Sequence, residues 1–497
     1  MLPSYQAINA ERRNTILRRT GLFLGPVLFA LILILPAPDE MSPEAKMTAA
    51  VAVLMGVWWI TEAIPIAVTA LLPVALFPVL GITSSQEAAS AYANHLIFLF
   101  MGGFIIALAM QKWNLHRRVA LRIIELVGTS PLRIILGFMI ATAFLSMWVS
   151  NTATTIMMVP IGMAVIGYFC DQYSGSSDPN FALSLMLGIA YSASVGGIGT
   201  LIGTPPNLVL ANTMEKMYDK TIGFAEWFAI GFPLVVIMIP IIWFWLTRVI
   251  YPPRKLDRQT SVIEDEMTRL GPPSRGEKII LAVFILTALC WIFRQTKVIG
   301  GLVIPGLDRI IPNISDSAIA VFFASIIFLI PVRFDRLEFV MDWEHARKLP
   351  WGILLLFGGG LSLASGFRIS GLARWIGTRV RIFADTPEIV LIGIVIVIII
   401  FLTEMTSNTA TTAMVLPILG SVAVGLGKEP MILLAPAAIA ASCAYMLPVA
   451  TPPNAIIFGS GCVKIPQMSR AGFFLNLISI VVIILLTYFY VIPVMIR

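Results

Sequence analysis

Long apolar stretches separated by short polar segments dominate this chain. Residues 387–403 and 471–496 are two of the clearest examples. A helix needs roughly 20 consecutive apolar residues to cross a bilayer, and stretches near that length recur along the whole sequence. We therefore predict an all-α polytopic membrane protein with about eleven transmembrane helices. The predicted spans are residues 21–36, 47–63, 65–81, 94–111, 181–210, 225–251, 277–294, 314–331, 350–367, 430–460 and 471–496.

Two further apolar stretches, 131–168 and 387–425, are interrupted by the same polar run. Ser-Asn-Thr-Ala-Thr-Thr stands at 150–155 and again at 407–412. Each stretch is long enough for two shorter helices with the Ser-Asn-Thr tripeptide at the turn between them. Irregular backbone at membrane depth is tolerated only where protein or a water-filled cavity covers it. We predict two re-entrant hairpins, each of which enters and leaves the membrane on the same side.

Other landmarks repeat in the same order as these hairpins. The run at 150 recurs 257 positions later, and the same offset relates Gly102-Gly103 to Gly359-Gly360 and Pro160 to Pro417. Thr-Pro-Pro-Asn follows in both halves, at 204–207 and 451–454, and predicts a broken helix in each. An odd number of spans between the copies makes the repeat inverted, which is typical of secondary transporters with midplane sites.

The repeat divides the chain. The predicted parts are a cytoplasmic N-terminal segment (1–20), a first half (21–251) with hairpin 131–168 and broken helix 181–210, a cytoplasmic linker (252–276), and a second half (277–497) with hairpin 387–425 and broken helix 430–460.

Composition excludes several classes of protein. The chain is 58% hydrophobic and 12% charged, with a mean hydropathy of +0.90, whereas a soluble domain is about a quarter charged. The net charge of +7 does not indicate nucleic acid, because the basic residues lie at the edges of apolar segments. The histidines have no zinc-ligand spacing, and the scattered cysteines are typical of small buried hydrophobic residues. These histidines and cysteines are His95, His116, His345, Cys170, Cys290, Cys443 and Cys462.

Charge also predicts orientation. An Arg-rich N-terminus precedes the apolar stretch 21–36, which lacks a small-residue cleavage site and is interpreted as a retained first span. With the N-terminus cytoplasmic, the basic loops 252–276, 332–349 and 461–470 fall inside, as the positive-inside rule expects. Basic segment 368–381 falls outside, against the positive-inside rule, whereas its counterpart 112–125 falls inside. We predict that these two segments are amphipathic helices at the membrane interface, in a plasma membrane of the bacterial inner-membrane type.

The segments that would build the site contain no fixed cation. No Lys or Arg occurs between Arg133 and Lys216, or between Arg381 and Lys464 apart from Lys428. A doubly charged anion at membrane depth would be costly without compensation. Helix N-termini, neutral donors and co-bound cations remain to hold it, which favours cation coupling. Two equivalent tips suit a ligand with two carboxylates, each facing an Asn amide and a Thr hydroxyl.

Two carboxylates lie within apolar segments, Glu62 and Glu404, and intramembrane carboxylates are functional candidates. We assign both a structural or gating role, because an ionised Glu beside a dianion would repel it. Proton coupling is the alternative. Ser and Thr could also serve only to join helices, but the duplication of the whole set favours a site.

The motifs together resemble one family. Trp-Trp-Ile-Thr-Glu-Ala-Ile-Pro at 58–65, both hairpins and both Thr-Pro-Pro-Asn breaks resemble the divalent anion:sodium symporter family over about residues 20–495. The Thr-Glu-Ala-Ile-Pro form resembles the sodium-coupled dicarboxylate branch more than the citrate/succinate antiporter branch. The resemblance implies a homodimer with a scaffold domain and an elevator-like transport domain that holds both hairpins and the breaks near 196–207 and 448–454.

The resemblance also implies site residues, about two Na⁺ sites and no organic cofactor. The first Na⁺ site would use Ser146, Ser150, Asn151 and the carbonyl of Gly199. The second would use Thr403, Thr406, Asn408 and the carbonyl of Ala450, although Val149 stands where Thr406 does in the other half. Substrate contacts would come from Asn151, Thr152, Thr200, Asn408, Thr409 and Pro452.

The leading hypothesis is a Na⁺-coupled importer of C4-dicarboxylates such as succinate, malate or fumarate, and not an enzyme. An anion exchanger of the same architecture is the first alternative, and the intact hydroxyl pairs disfavour it. A sulfate symporter or an anion channel are further alternatives. A membrane enzyme is the least favoured, because no catalytic constellation lies at membrane depth.

Overall fold

A computed structural model describes residues 5–128, 130–172, 178–253, 262–299 and 302–495. The fold in these ranges is mostly helical, as predicted. Eight helices in the described residues are long and apolar enough to cross a membrane, which agrees with a polytopic protein. The total of about eleven spans stays a prediction, because several predicted spans are broken or shorter.

The first half contains twelve α-helices in the described ranges. They are α1 (Tyr5–Ile34), α2 (Pro43–Thr61), α3 (Ile66–Thr69), α4 (Leu72–Val79), α5 (Ser85–Ser90), α6 (His95–Lys112), α7 (Leu115–Val127), α8 (Pro131–Ser146), α9 (Asn151–Gln172), α10 (Pro179–Ile198), α11 (Pro205–Tyr218) and α12 (Phe224–Phe244). The predicted N-terminal segment 1–20 is helical from Tyr5 and continuous with the first span.

The linker and second half contain α13 (Val262–Leu270), α14 (Arg275–Ile292), α15 (Asp316–Ile326), α16 (Trp343–Ala346), α17 (Trp351–Ile369), α18 (Leu372–Arg379), α19 (Glu388–Thr403), α20 (Asn408–Gly425), α21 (Met431–Ala441), α22 (Pro452–Gly459), α23 (Ile465–Leu486) and α24 (Ile492–Met495). Two small antiparallel hairpins add strands that the sequence did not predict: β1 (Lys297–Ile299) with β2 (Leu302–Ile304), and β3 (Pro331–Arg333) with β4 (Glu338–Phe339). Residues 254–261 of the predicted linker lie outside the described residues.

The two halves share an order of elements. In each, a Gly-Gly helix (α6 or α17) is followed by a basic amphipathic helix (α7 or α18), a helical hairpin, a broken helix and a long helix (α12 or α23) that ends in a π-helical turn. This order follows the sequence repeat. The inversion of one half relative to the other stays a prediction.

Two helices joined by a short turn lie at each predicted hairpin, and their re-entrance into the membrane stays a prediction. Helices α8 and α9 are joined by residues 147–150, and α19 and α20 by residues 404–407. The polar run does not form the whole turn, since only its serine precedes the second helix and Asn151 or Asn408 begins it. Ser150 and Ser407 accept hydrogen bonds from the backbone N–H groups of Ala153 and Ala410, so each serine caps the helix that follows.

Glycines allow the helices of the two halves to approach closely. A Cβ on Gly102 would lie 2.7 Å from the backbone of Ala320, and one on Gly359 would lie 2.3 Å from the carbonyl oxygen of Ala70. Small residues at helix contacts are the common device of membrane bundles, because lipid supplies no hydrophobic force between helices.

The basic segments gather on two faces. Arg117 pairs with Glu266 of the linker, and Lys112 pairs with Asp342 at 2.8 Å, so segment 112–125 lies beside both the linker and loop 332–349. Segment 368–381 instead contacts the end of the first span, where Trp375 donates to the carbonyl of Asp39 at 3.0 Å. Helix α17 connects loop 332–349 to segment 368–381, and their positions on opposite faces of the membrane stay a prediction. Which face is cytoplasmic stays a prediction.

Candidate functional site

A cavity of about 600 Å³ lies where the two hairpin tips meet the two broken helices. Eight of the site residues predicted from the sequence line this cavity: Ser150, Asn151, Thr152, Thr406, Asn408, Thr409, Ala450 and Pro452. The structure thus brings both Ser-Asn-Thr tips to one cavity, although they lie 257 positions apart in sequence.

Four helices begin at this cavity. Asn151 and Asn408 start the second helices of the hairpins, and Pro205 and Pro452 start the second parts of the broken helices. The first N–H groups of the two hairpin helices have no acceptor within the helix. The broken helices begin with two prolines, which have no N–H, and contribute the partial positive charge of a helix N-terminus. The arrangement therefore favours an anion in the cavity without requiring a basic side chain.

Behind each tip, a hydroxyl lies between two oxygen acceptors. The Ser146 hydroxyl oxygen is 2.6 Å from Asn151 Oδ1 and 2.6 Å from the carbonyl oxygen of Ala193. In the other half, the hydroxyl of Thr403 is 2.6 Å from Asn408 Oδ1 and 2.9 Å from the carbonyl of Ala441. One hydroxyl hydrogen can serve only one of two acceptors. Each cluster is therefore rich in oxygen and short of protons, which is the chemistry of a site for a hard cation.

The ends of α8, α10, α19 and α21 supply these clusters or lie beside them. Ser146 and Thr403 are the last residues of α8 and α19, and Ala441 is the last residue of α21. Helix C-termini carry partial negative charge and free carbonyls. The site thus combines positive helix ends at the cavity with negative helix ends behind it.

Asn207 and Asn454 hold the two helix breaks open in the same way. Asn207 Nδ2 donates to the carbonyls of Gly197 and Thr200 at 3.1 and 2.7 Å. Asn454 Nδ2 donates to the carbonyls of Ala444 and Leu447 at 3.2 and 3.0 Å. These amides satisfy carbonyls that the interrupted helices leave unpaired. The last residue of the Thr-Pro-Pro-Asn motif is therefore a structural clamp in both halves.

Four of the predicted site residues are not among the residues that line the cavity. Ser146, Thr403 and Thr200 are fully buried, and Gly199 lies against the side chain of Met147. The Thr200 hydroxyl donates to the carbonyl of Met147, which joins the first helix break to the first hairpin tip.

The asymmetry between Thr406 and Val149 has a structural cause. The Thr406 hydroxyl bonds to the carbonyl of Leu402 at 2.8 Å and to the hydroxyl of Thr411 at 2.6 Å. In the first half Val149 occupies the matching place, and the buried Thr154 hydroxyl has no partner among the described residues. Thr406 therefore ties the second tip together internally.

Glu404 is buried behind the second tip. Its carboxylate accepts hydrogen bonds from the backbone N–H groups of Tyr445 (2.7 Å), Met446 (3.0 Å) and Leu447 (3.2 Å) and from Asn476 Nδ2 (2.8 Å). An ionised carboxylate accepts hydrogen bonds and donates none, and all four partners are donors. The arrangement fits an ionised anchor for the second helix break, and Glu404 does not line the cavity.

Sequence reasoning missed the basic residue of the lining. Arg18 reaches the cavity and pairs with Glu62 at 3.2 Å, so these two charges compensate each other at its edge. It also missed the carbonyls of Ala193 and Ala441, for which no sequence signal exists, because every residue carries the same carbonyl.

Comparisons with known proteins agree on the kind of molecule. The family model described as "Sodium:sulfate symporter transmembrane region" matches residues 18–497. A protein of Staphylococcus saprophyticus named "Sodium-dependent dicarboxylate transporter SdcS" is 44% identical over 485 residues, which cover 96% of this chain and 92% of that protein. A Staphylococcus aureus protein of the same name is 44% identical over 481 residues, which cover 95% of this chain and 91% of that protein.

Two solved structures share the fold. The MtrF protein of Neisseria gonorrhoeae has a TM-score of 0.59 at 15% identity and covers 95% of this chain and 94% of its own. The YdaH transporter of Alcanivorax borkumensis has a TM-score of 0.56 at 14% identity, covering 83% of this chain and 88% of its own. At this identity the likeness concerns the fold alone.

Proposed function

Because this chain belongs to the sodium:sulfate symporter family, we propose that it is a secondary transporter that couples uptake of a C4-dicarboxylate to Na⁺. Its relatives are transporters and not enzymes, as the sequence predicted for this chain. The single observation that carries the proposal is the pair of equivalent tips at one cavity, each with an oxygen cluster behind it.

The substrate would bind between the tips. Asn151 and Asn408 each direct Oδ1 to a hydroxyl behind the tip, which leaves Nδ2 as the amide atom that can donate into the cavity. Thr152 and Thr409 line the same wall. Each tip would thus offer one carboxylate a helix N-terminus, an amide and a hydroxyl, so two carboxylates separated by a short carbon chain fit the duplicated arrangement.

Sodium would bind in the clusters behind the tips. One site would use Ser146, Asn151 and nearby backbone carbonyls, and the other Thr403, Asn408 and their own. A cation there would accept the lone pairs of all three oxygens at once, which a hydroxyl hydrogen cannot do. Ser150, Gly199 and Ala450 remain proposed ligands. Thr406 is a weaker one, since its hydroxyl already has two partners.

Charge balance explains why the two ligands would travel together. Arg18 is the only basic residue among the described residues that line the cavity, and it pairs with Glu62. A dianion would therefore lack a fixed countercharge. Two bound Na⁺ ions would supply it and would share Asn151 and Asn408 with the substrate, so that each ligand raises the affinity of the other.

The shared order of elements supports an elevator transporter in which both hairpins and both broken helices move together, within a homodimer in the bacterial plasma membrane. Sulfate is a less favoured cargo, since a tetrahedral dianion needs one donor cluster and not two separated tips. The names of the relatives also favour dicarboxylate.

The test is uptake of labelled succinate into liposomes that contain the purified protein, with an inward Na⁺ gradient and again with K⁺ in its place. We expect uptake only with Na⁺, lost in Asn151→Ala and Asn408→Ala. Asn180→Ala is the matched control, because that amide only bonds a surface carbonyl at Pro252. Uptake that ignores Na⁺ but needs dicarboxylate inside the liposome would indicate an exchanger and overturn the coupling.

A further inference from the structure

A second cavity, of about 450 Å³, lies beside α18 and has no part in the site described above. It is on the face of the molecule that contains the end of the first span. Arg368 from the last turn of α17, Arg374 from α18 and Arg381 just beyond it all line this cavity. Basic segment 368–381 is the one that disagreed with the positive-inside rule, so its charge calls for an explanation other than topology.

Close backbone packing builds the cavity. A Cβ on Gly425 would lie 2.2 Å from the carbonyl oxygen of Gly377, so α18 and the end of α20 touch backbone to backbone at this point. Gly371 adopts a left-handed conformation (φ 78°) at the start of α18 and turns the chain sharply after α17. These two features bring arginines from both sides of the turn to one concavity.

The three arginines are unpaired. None makes an ion pair within the described ranges, and no Asp or Glu is among the described residues that line the cavity. Arg379, on the same helix, behaves differently: it donates to the carbonyl of Asp39 at 2.7 Å and lies 3.7 Å from Glu40. Three like charges around one concavity repel one another and produce a strong positive potential, which a bound anion would relieve.

A neutral donor completes the wall. The phenol of Tyr218, at the end of α11, lines the cavity, and its buried hydroxyl has no hydrogen-bond partner among the described residues. A buried hydroxyl without a partner is costly. An anion that accepted from Tyr218 and from the guanidinium groups together would satisfy it.

The surroundings favour a lipid as the source of the anion. Ile369, Ile382 and Phe383 are exposed beside the arginines, by 51%, 81% and 55%, and Trp375 lies on the same segment. Apolar side chains, an aromatic ring and arginines at one level are typical of the headgroup region of a membrane. Basic pockets between membrane helices bind phosphate-bearing lipid headgroups.

We propose that this cavity binds the phosphate group of an anionic phospholipid. Arginine is suited to this ligand because its planar guanidinium donates two parallel hydrogen bonds to phosphate oxygens. The acyl chains would lie over Ile382 and Phe383. A zwitterionic lipid would fit poorly, since its cationic headgroup would meet the same arginines.

The test measures lipid binding and not transport, so its result is independent of the proposed function. Purified protein in detergent is titrated with phosphatidylglycerol, with phosphatidylcholine, or with phosphatidylglycerol in the presence of inorganic phosphate, and bound lipid is counted by native mass spectrometry. We expect tighter binding of phosphatidylglycerol than of phosphatidylcholine, weakened about fivefold by each of Arg368→Gln, Arg374→Gln and Arg381→Gln.

Arg379→Gln is the matched control, because it removes the same charge from α18 at a position outside the cavity. We expect this variant to bind phosphatidylglycerol with the affinity of the unmodified protein. Tyr218→Phe removes only the hydroxyl oxygen and should also weaken phosphatidylglycerol binding. This variant still tests the proposal if an arginine variant fails to fold. Equal affinities in all variants would overturn the proposal. Displacement of the lipid by millimolar inorganic phosphate would overturn the lipid assignment in favour of a free phosphate.

Discussion

The hydroxyl oxygen of Ser146 lies 2.6 Å from the side-chain oxygen of Asn151, across the tip of the first hairpin. Thr403 and Asn408 repeat this distance at the second tip. The asparagine therefore connects two environments, with its oxygen towards the cluster behind the tip and its nitrogen available to the cavity. Cation binding and substrate binding would be coupled through this side chain.

Removal of either hydroxyl should weaken Na⁺ activation. In Ser146→Ala or Thr403→Ala, one oxygen ligand is lost and we expect the Na⁺ concentration for half-maximal uptake to rise about tenfold, the factor for a charge-assisted contact. Thr142→Ala is the control on the same helix, because that hydroxyl donates to its own helix at Phe138. Unchanged Na⁺ dependence in both variants would remove the clusters from the mechanism.

Glu404→Gln should destabilise the second helix break. The new amide nitrogen would face backbone N–H donors that now bond to the carboxylate, at a cost of about 1–3 kcal/mol, so the melting temperature should fall. Glu62→Gln is the control, since Glu62 forms only a half-exposed pair with Arg18. If Glu404→Gln instead abolished the pH dependence of uptake while sparing its Na⁺ dependence, Glu404 would be a proton carrier and the anchoring role would be wrong.

Val149→Thr should stabilise the protein. A threonine there would place a hydroxyl where Thr406 has one in the other half, within reach of the unpartnered Thr154 hydroxyl. The gain should be about 1 kcal/mol, the usual net value of a hydrogen bond. Thr406→Val is the reciprocal change and should lower the melting temperature, which scanning fluorimetry of both variants would measure. A loss of stability in Val149→Thr would contradict the equivalence of the two tips.

Gly359→Ala should disrupt the packing of α17. The added methyl group would overlap the carbonyl of Ala70, whereas the same change at Gly352 on the same helix would meet its nearest atom at 3.6 Å. Overpacking costs about 1–3 kcal/mol, so we expect poor folded yield or a lower melting temperature for Gly359→Ala alone. Equal folded yields and melting temperatures for Gly359→Ala and Gly352→Ala would mean that α17 can move away from Ala70 at no cost.

The two basic segments should be accessible from opposite sides of the membrane. In a background without the native cysteines, Asp385→Cys, just beyond segment 368–381, should react with an impermeant thiol reagent added outside the cell. Arg122→Cys, within segment 112–125, should react only after the membrane is opened. Both positions are exposed. The reverse pattern would invert the predicted orientation without affecting the fold.

The hairpins and broken helices could be predicted because their signals are local. A polar run inside an apolar stretch, or two consecutive prolines, favours an interruption of the helix, and the duplication predicted that these interruptions belong to a site. The tips of the two hairpins came together as the repeat predicted. Helix bounds were less predictable, and the predicted span 65–81, for example, is divided into α3 and α4.

The partners of Glu404 show where local signals fail. Its position inside an apolar segment marked it as important, but nothing nearby in sequence indicated backbone donors at 445–447 or the amide of Asn476. The pairing of Arg18 with Glu62 was equally hidden, because the two lie on different helices.

The membrane class, the repeat and the lack of fixed cations in the hairpins and broken helices could be read from the amino-acid sequence, because these properties belong to residue types and their order. The packing of the helices was needed to identify the carbonyls that lie beside Ser146 and Thr403. It was also needed to show that three arginines of segment 368–381 surround one cavity. Backbone oxygens are chemically identical along the chain, and like charges gather only where packing forces them to. The carbonyl partners and the arginine cavity both depend on contacts between helices that are distant in sequence, and short-range sequence patterns do not predict such contacts.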